Sequence, residues 1–170
     1  MLEKLPAQPA TIYMLRTTQQ RHIQLSAMAD QKANIVIGAS LIMVTLIVGK
    51  AAQGGLSLPM WVLGAGAATA CCFAMLAVLP NTSSPRRGQP GFNPLFFGAV
   101  EQLSVDEYLQ EMAGHLANEQ AVYELILRDL HAEAQVLARK KYRRLRISYL
   151  VFLATLLLTG TLSIYVHAVA

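Results

Sequence analysis

Met60-Trp-Val-Leu-Gly-Ala-Gly-Ala-Ala-Thr-Ala-Cys-Cys-Phe-Ala-Met-Leu-Ala-Val-Leu79 is twenty residues without a charge. At a rise of ~1.5 Å per residue, a helix of that length covers the ~30 Å hydrocarbon slab of a bilayer. It is the heart of a longer uncharged segment, Ala51 to Pro85. Two similar stretches flank it. Ala33 to Gly49 lies between Lys32 and Lys50, and Ile147 to Ala170 follows Arg146. The first is the shortest and carries Asn34, Ser40 and Thr45, yet each predicts a span. The expected fold class is an all-α integral membrane protein: three transmembrane helices with a cytoplasmic helical stalk or sensor module.

Working outward, the expected organisation is a cytoplasmic N-terminal helix at 1–32, spans at 33–51, 59–80 and 147–168, and a cytoplasmic linker with an amphipathic helix at 81–146. Hydrophobic residues are 54% of the 170 and charged ones 14%, against ~25% charged in soluble domains. The material outside the spans is too small for a large enzyme domain but sufficient for one helical module. Lys4, Arg16, Arg21 and Lys32 precede the first span, and Arg86, Arg87 and the 139–146 cluster lie between the second and third. The connection between the first two spans carries only Lys50. The positive-inside rule therefore predicts a cytoplasmic N-terminus and a C-terminus outside. The first apolar run begins about thirty residues in, behind acidic, basic and proline residues, so it reads as an uncleaved anchor rather than a signal peptide.

Pro6 and Pro9 predict a disordered start over 1–10, and Thr11 to Ala52 then lacks proline, which predicts one helix. Gln53-Gly54-Gly55 is a turn, and Pro59 opens the next helix. Asn81 to Gly91 is a linker by composition. Phe92-Asn93-Pro94-Leu95-Phe96-Phe97-Gly98 collects three aromatics. Ser104-Val105-Asp106-Glu107 is a helix start, with Ser104 as cap. Nothing but Gly114 interrupts 105–146, where Leu109, Met112, Leu116, Tyr123, Ile126, Leu127, Leu130 and Leu137 recur at helical spacings. Because the first and third spans enter the membrane from the same side, the 11–32 and 105–146 helices are expected to pack side by side, with Ile12 near Leu130.

Several constellations invite chemistry. His22, Ser26 and Asp30 share a helix face, but neighbours on one rigid helix, with no oxyanion hole in view, make a polar contact face rather than a catalytic triad. His22, His115, His131 and His167 form no metal-ligand spacing, and adjacent Cys71 and Cys72 are packing residues. No catalytic, metal or resident-cofactor motif is present, so the expectation is a non-enzyme. Glu101 to Glu133 contains eight carboxylates and one basic residue, Arg128; six cations follow within 139–146. That cluster reads as a collar at anionic headgroups, or as a source of arginines for a phosphate-bearing ligand. In the spans, Gly64-x-x-x-Ala68 and Gly66-x-x-x-Ala70 permit close helix approach, and Thr155, Thr159, Ser163 and His167 make one polar stripe. Local back-bonding and ordinary packing explain these patterns. The alternative is a membrane oligomer seam built from Gly64, Gly66, Thr155, Thr159 and Ser163.

The blocks Arg21-His22-Ile23-x-Leu25-Ser26-x-Met28-Ala29-Asp30-x-Lys32-Ala33-Asn34-Ile35, Asn93-Pro94-Leu95-Phe96-Phe97-Gly98, Tyr108, Ile126-x-Arg128-Asp129-Leu130, Leu137-Ala138-x-Lys140-Lys141-Tyr142 and Arg144-Leu145-Arg146-x-x-Tyr149 carry a resemblance. From about residue 15 to 165 the chain resembles the transmembrane effectors of Pycsar, the antiphage system built on a pyrimidine nucleotide cyclase. The resemblance implies an inner-membrane effector activated by cyclic CMP or cyclic UMP from a partner cyclase. On binding it would assemble as a homo-oligomer, impair the membrane and end the infection by abortive death, with no nucleic-acid polymer as partner. It carries no residue-by-residue ligand signature. By chemistry alone, one anionic phosphate and a pyrimidine face suit Arg16, Arg21, Asn93, Tyr123 and Arg128. Against this stands a different class, a constitutive scaffold that recruits a soluble partner enzyme such as a phosphohydrolase. A small transporter fits poorly, since intramembrane charges and inverted repeats are absent.

Overall fold

The computed structural model describes residues 9–80 and 82–169, and all its regular elements are helices: α1 (Pro9–Ala51), α2 (Leu58–Val78), the single turn α3 (Phe97–Val100), α4 (Val105–Leu116), α5 (Glu119–Val136), a π-helical segment at Leu137–Tyr142, and α6 (Arg143–Val169). Three of the helical runs are long and apolar enough to cross a membrane. The expected disorder at 1–10 lies, up to residue 8, outside the described residues; Pro9 and Ala10 already belong to α1.

The chain divides into two compact units. One comprises residues 26–79 and the chain from 138 onward; the other comprises residues up to 25 and 80–137. The first is the apolar unit, and its helices meet along seams of small residues. Ala29, Ala33, Val36 and Ser40 are buried on α1, Ala67, Ala70, Ala74 and Ala77 on α2, and Leu145, Ser148 and Thr155 on α6. On α1 and α2 the spacings alternate between three and four, the knobs-into-holes rhythm that keeps one face turned to its neighbours, and on α6 they are three and seven. In an apolar solvent helices gain nothing by hiding leucine, so close approach and hydrogen bonds hold them together. Leu41, Ile42, Leu46, Leu153, Leu157 and Leu158 accordingly remain on the outside.

Polar groups fasten this unit. The Ser148 hydroxyl donates to the Ala70 carbonyl at 2.7 Å. The Arg144 guanidinium donates to the Leu76 carbonyl at 2.7 Å, satisfying an orphan acceptor in the last turn of α2. The Tyr149 hydroxyl donates to the Lys32 carbonyl at 3.1 Å.

The second unit is built differently. Leu15 of α1 packs with Tyr123 and Leu130 of α5, flanked by Ile126 and Leu127. Ser104 caps α4 in a reciprocal box: its hydroxyl accepts from the Glu107 amide while the Glu107 carboxylate accepts from the Ser104 amide at 2.8 Å. Those Ser104 bonds hold the Glu107 carboxyl below its usual range. The 105–146 stretch is not one helix. Ala117 and Asn118 separate α4 from α5, because the extended Asn118 backbone (φ −149°) starts a new helix whose Ala121 amide donates to the Asn118 side chain at 2.7 Å. Consequently the expected apolar stripe splits: Tyr123 and Leu130 are buried, whereas Leu109 and Leu116 are exposed.

Candidate functional site

Facing turns of α1 and α5 leave a cavity of about 300 Å³, lined by Ile12, Leu15, Arg16, Gln19, Glu119, Val122, Tyr123 and Ile126. Its size sits at the low end of small-molecule sites. Residues 12, 15, 16 and 19 share one face of α1, and residues 119, 122, 123 and 126 share one face of α5, as the helical period requires. Apolar side chains make most of the wall. Arg16 supplies a cation, Gln19 an amide with donor and acceptor, Glu119 an acceptor and Tyr123 an aromatic face. This combination can hold a small monoanion bearing a planar heterocycle.

Of the five residues chosen from sequence for ligand binding, the structure brings Arg16 and Tyr123 together in this cavity. The other three lie elsewhere. Arg21 is exposed and does not line the cavity. Arg128 is exposed and pairs with Glu124 one turn earlier on α5. Asn93 works in the fold: its side-chain oxygen accepts from the Leu95 amide at 3.0 Å, and its amide nitrogen donates to Asp129 at 2.6 Å. The sequence pointed to neither Gln19 nor Glu119. The only signal for them is their position four residues before Tyr123 or three after Arg16.

A polar cluster lies in the same unit. Asp129 is nearly buried and ends the Asn93 tie. Glu133, one turn on, stands 3.6 Å from His22 Nδ1. Burial first, and then the neighbouring Asp129 charge, pushes the Glu133 carboxyl above its usual value, with His22 partly opposing the shift. His22 therefore faces a carboxylate of α5. Ser26 and Asp30 instead both accept from Lys141, at 2.8 and 2.7 Å. No catalytic triad forms from these three residues.

In the apolar unit, Gly66 lies against Thr155: a Cβ at Gly66 would collide with the threonine side chain. Gly64 is in ordinary contact with Ile47, and Ala68 is exposed. The small-residue run and the first polar residue of the α6 stripe thus serve packing within one chain. Further along that stripe the Thr159 hydroxyl is enclosed without a hydrogen-bond partner, and Ser163 and His167 are exposed. Among the described residues no group of His, Cys, Asp or Glu is arranged to hold a metal ion.

Compared with known proteins, residues 13–167 match a family model described as the Pycsar effector protein domain. No curated protein and no solved structure matches the chain.

Proposed function

The chain belongs to the Pycsar effector protein domain family, and on that premise we propose that a cyclic pyrimidine mononucleotide activates it to impair the membrane it spans. An antiphage effector role and a membrane setting go with the family and with the three apolar helices. The family match over nearly the whole chain is the observation that carries the reading. It is also what implies a partner cyclase as the source of the messenger.

In this reading the cavity between α1 and α5 takes the messenger, from the cytoplasmic side on which the positive-inside rule places it. Arg16 meets the single phosphate charge and Tyr123 stacks on the pyrimidine. Glu119 supplies an acceptor for the base edge, met by the exocyclic amine of cytosine or by the N3–H of uracil. Both cyclic CMP and cyclic UMP fit it. Because α1 is unbroken from Pro9 to Ala51, the helix that lines the cavity is covalently the one that spans the membrane. Binding shifts a conformational equilibrium only as far as the ligand prefers one arrangement, and ~5.5 kcal/mol takes a population from 1:99 to 99:1. Self-assembly into a homo-oligomer supplies part of that preference.

The test is thermal stability of the detergent-purified chain with cyclic CMP, cyclic UMP, cyclic AMP and cyclic GMP, followed by dye release from vesicles containing it. A ligand that binds the folded state raises its melting temperature by mass action. Arg16→Ala should weaken cyclic CMP binding about tenfold, the value of one charge-assisted contact, while Arg128→Ala leaves it unchanged. No shift with any of the four nucleotides would overturn the reading. A second reading draws on α4, whose Val105, Leu109 and Leu116 form an exposed apolar stripe beside Asp106. Such a face suits a scaffold that recruits a soluble enzyme, and an unresponsive chain that still retained such an enzyme would favour it.

A further inference from the structure

Positive charge in the apolar unit is nearly uncompensated. Among its described residues Lys32, Lys50, Arg139, Lys140, Lys141, Arg143, Arg144 and Arg146 are cationic, and Asp30 is the one carboxylate. Two cations of the 139–146 cluster turn inward. Lys141 takes Asp30 and Ser26 of α1, with its side chain 18% exposed, and Arg144 takes the Leu76 carbonyl of α2. Arg139, Lys140, Arg143 and Arg146 turn outward, all exposed, and none pairs with any described residue. Lys32 joins them, because the bond from the Tyr149 hydroxyl to its carbonyl places it beside the turn of α6 that holds Arg146.

We propose that Lys32, Arg139, Lys140, Arg143 and Arg146 form a binding surface for the phosphate headgroups of anionic phospholipids, held in place by the inward Lys141 and Arg144. Three observations favour a lipid over a free phosphate. Ile147 directly follows the cluster and opens the uncharged run, so the cations stand where a helix leaves hydrocarbon for headgroups. Long basic side chains at such a depth extend toward phosphates while their stems stay in the apolar layer. The surface is also open and lies on several turns, which suits several headgroups side by side rather than one enclosed anion. Arginine matches phosphate oxygens in pairs, and three of the five are arginine.

The inward pair gives this surface a consequence. Arg143 and Arg146 flank Arg144, which fastens α2, and Arg139 and Lys140 precede Lys141, which fastens α1. Headgroups that neutralise the outward cations remove their mutual repulsion along this segment, so the packed three-helix arrangement is stabilised in an anionic membrane.

The experiment measures the melting temperature of the full chain in detergent micelles doped with phosphatidylglycerol or with phosphatidylcholine. Phosphatidylglycerol should raise it by about 5 °C, phosphatidylcholine should not, and high salt should abolish the difference. Changing Arg139, Lys140, Arg143 and Arg146 together to glutamine should remove the rise and leave the response to cyclic CMP intact. Should that variant fail to fold, the milder Lys32→Gln/Arg146→Gln pair should at least halve the rise. Lys50→Gln, at the other end of α1, should keep it. Equal behaviour of the two lipids with the unaltered chain overturns the proposal, as does a loss with Lys50→Gln equal to that of the cluster variants. A rise reproduced by inorganic phosphate or cyclic CMP and lost in the cluster variants also overturns it, in favour of a soluble phosphate ligand.

Discussion

The two units solve the same problem, holding helices together, with opposite materials. The unit of residues 26–79 and 138 onward packs alanine, serine and glycine, and the one carboxylate among its described residues is already engaged by Lys141. The other holds Glu101, Asp106, Glu107, Glu111, Glu119, Glu124, Asp129 and Glu133 against Arg16, Arg21, Arg86, Arg87 and Arg128, and its core is leucine and tyrosine. The difference follows from solvent. Where water surrounds the chain, burying large apolar side chains drives packing. In hydrocarbon that drive vanishes, and backbones must come close enough for dispersion and hydrogen bonds to act. A substitution should therefore cost most where it disturbs backbone approach in one unit, and where it strands a buried charge in the other.

Gly66→Val is the harshest trial of the first half of that contrast. Its side chain would occupy the space of Thr155, forcing α2 from α6. Overpacking of this kind costs ~3 kcal/mol, so the melting temperature should drop by about 10 °C. Gly38→Leu, where nothing lies within 4 Å, should change it little. If both behave alike, small-residue packing is not what holds this unit. Asp30→Asn comes next. It weakens the acceptor of a partly buried Lys141, whose side chain is 18% exposed while that of Asp30 is 36% exposed. With screening at that exposure the loss is about 1–2 kcal/mol, and pairing it with Lys141→Met in a double-mutant cycle should show most of that as coupling.

How much of this was legible beforehand depends on what sets each feature. The three spans and the Ser104 capping box are local, written in runs of a few residues, and the structure contains them. Breaking the 105–146 stretch at Asn118 was also locally encoded, but a lone asparagine is equally at home on a helix surface, and only its extended backbone makes it a cap. The long-range ties within each unit are of another kind. Asn93 reaches Asp129 across 36 residues, and Lys141 reaches Asp30 across 111. Within Arg139-Lys140-Lys141 nothing in composition marks the third as the inward one, which reaches Ser26 and Asp30 from the π-helical segment. Arg16 and Tyr123 suit the ligand by chemistry and the fold brings them together, whereas Arg128 suits it on the same grounds and meets only Glu124.

In the acidic unit, Asn93→Ala and Arg128→Ala set a tied residue against a solvated one. Asn93→Ala leaves the nearly buried Asp129 without its donor and should cost about 1–2 kcal/mol. Arg128→Ala removes an exposed pair one turn apart and should cost at most ~0.5 kcal/mol. Equal losses, measured by chemical or thermal unfolding, would mean that burial does not govern this unit.

The smallest effect is carried by protons. Burial and Asp129 raise the Glu133 carboxyl above its ordinary 4.5 in the folded chain. A raised carboxyl favours the folded state in its protonated form, so its contribution is complete below the ordinary value and is lost as pH rises through the folded one. Compared with Glu133→Gln, which stays uncharged, the unaltered protein should therefore gain stability as pH falls from neutrality toward 4.5 and show no further relative change below it. His22 works against this trend, since its proximity to Glu133 favours the ionised carboxylate. Replacing His22 with alanine should thus steepen the gain on acidification. A profile that runs the other way, with relative stability lost toward pH 4.5, would show that the His22 contact outweighs burial, and that charge pairing governs this corner of the acidic unit as it governs Lys141 and Asp30 in the apolar one.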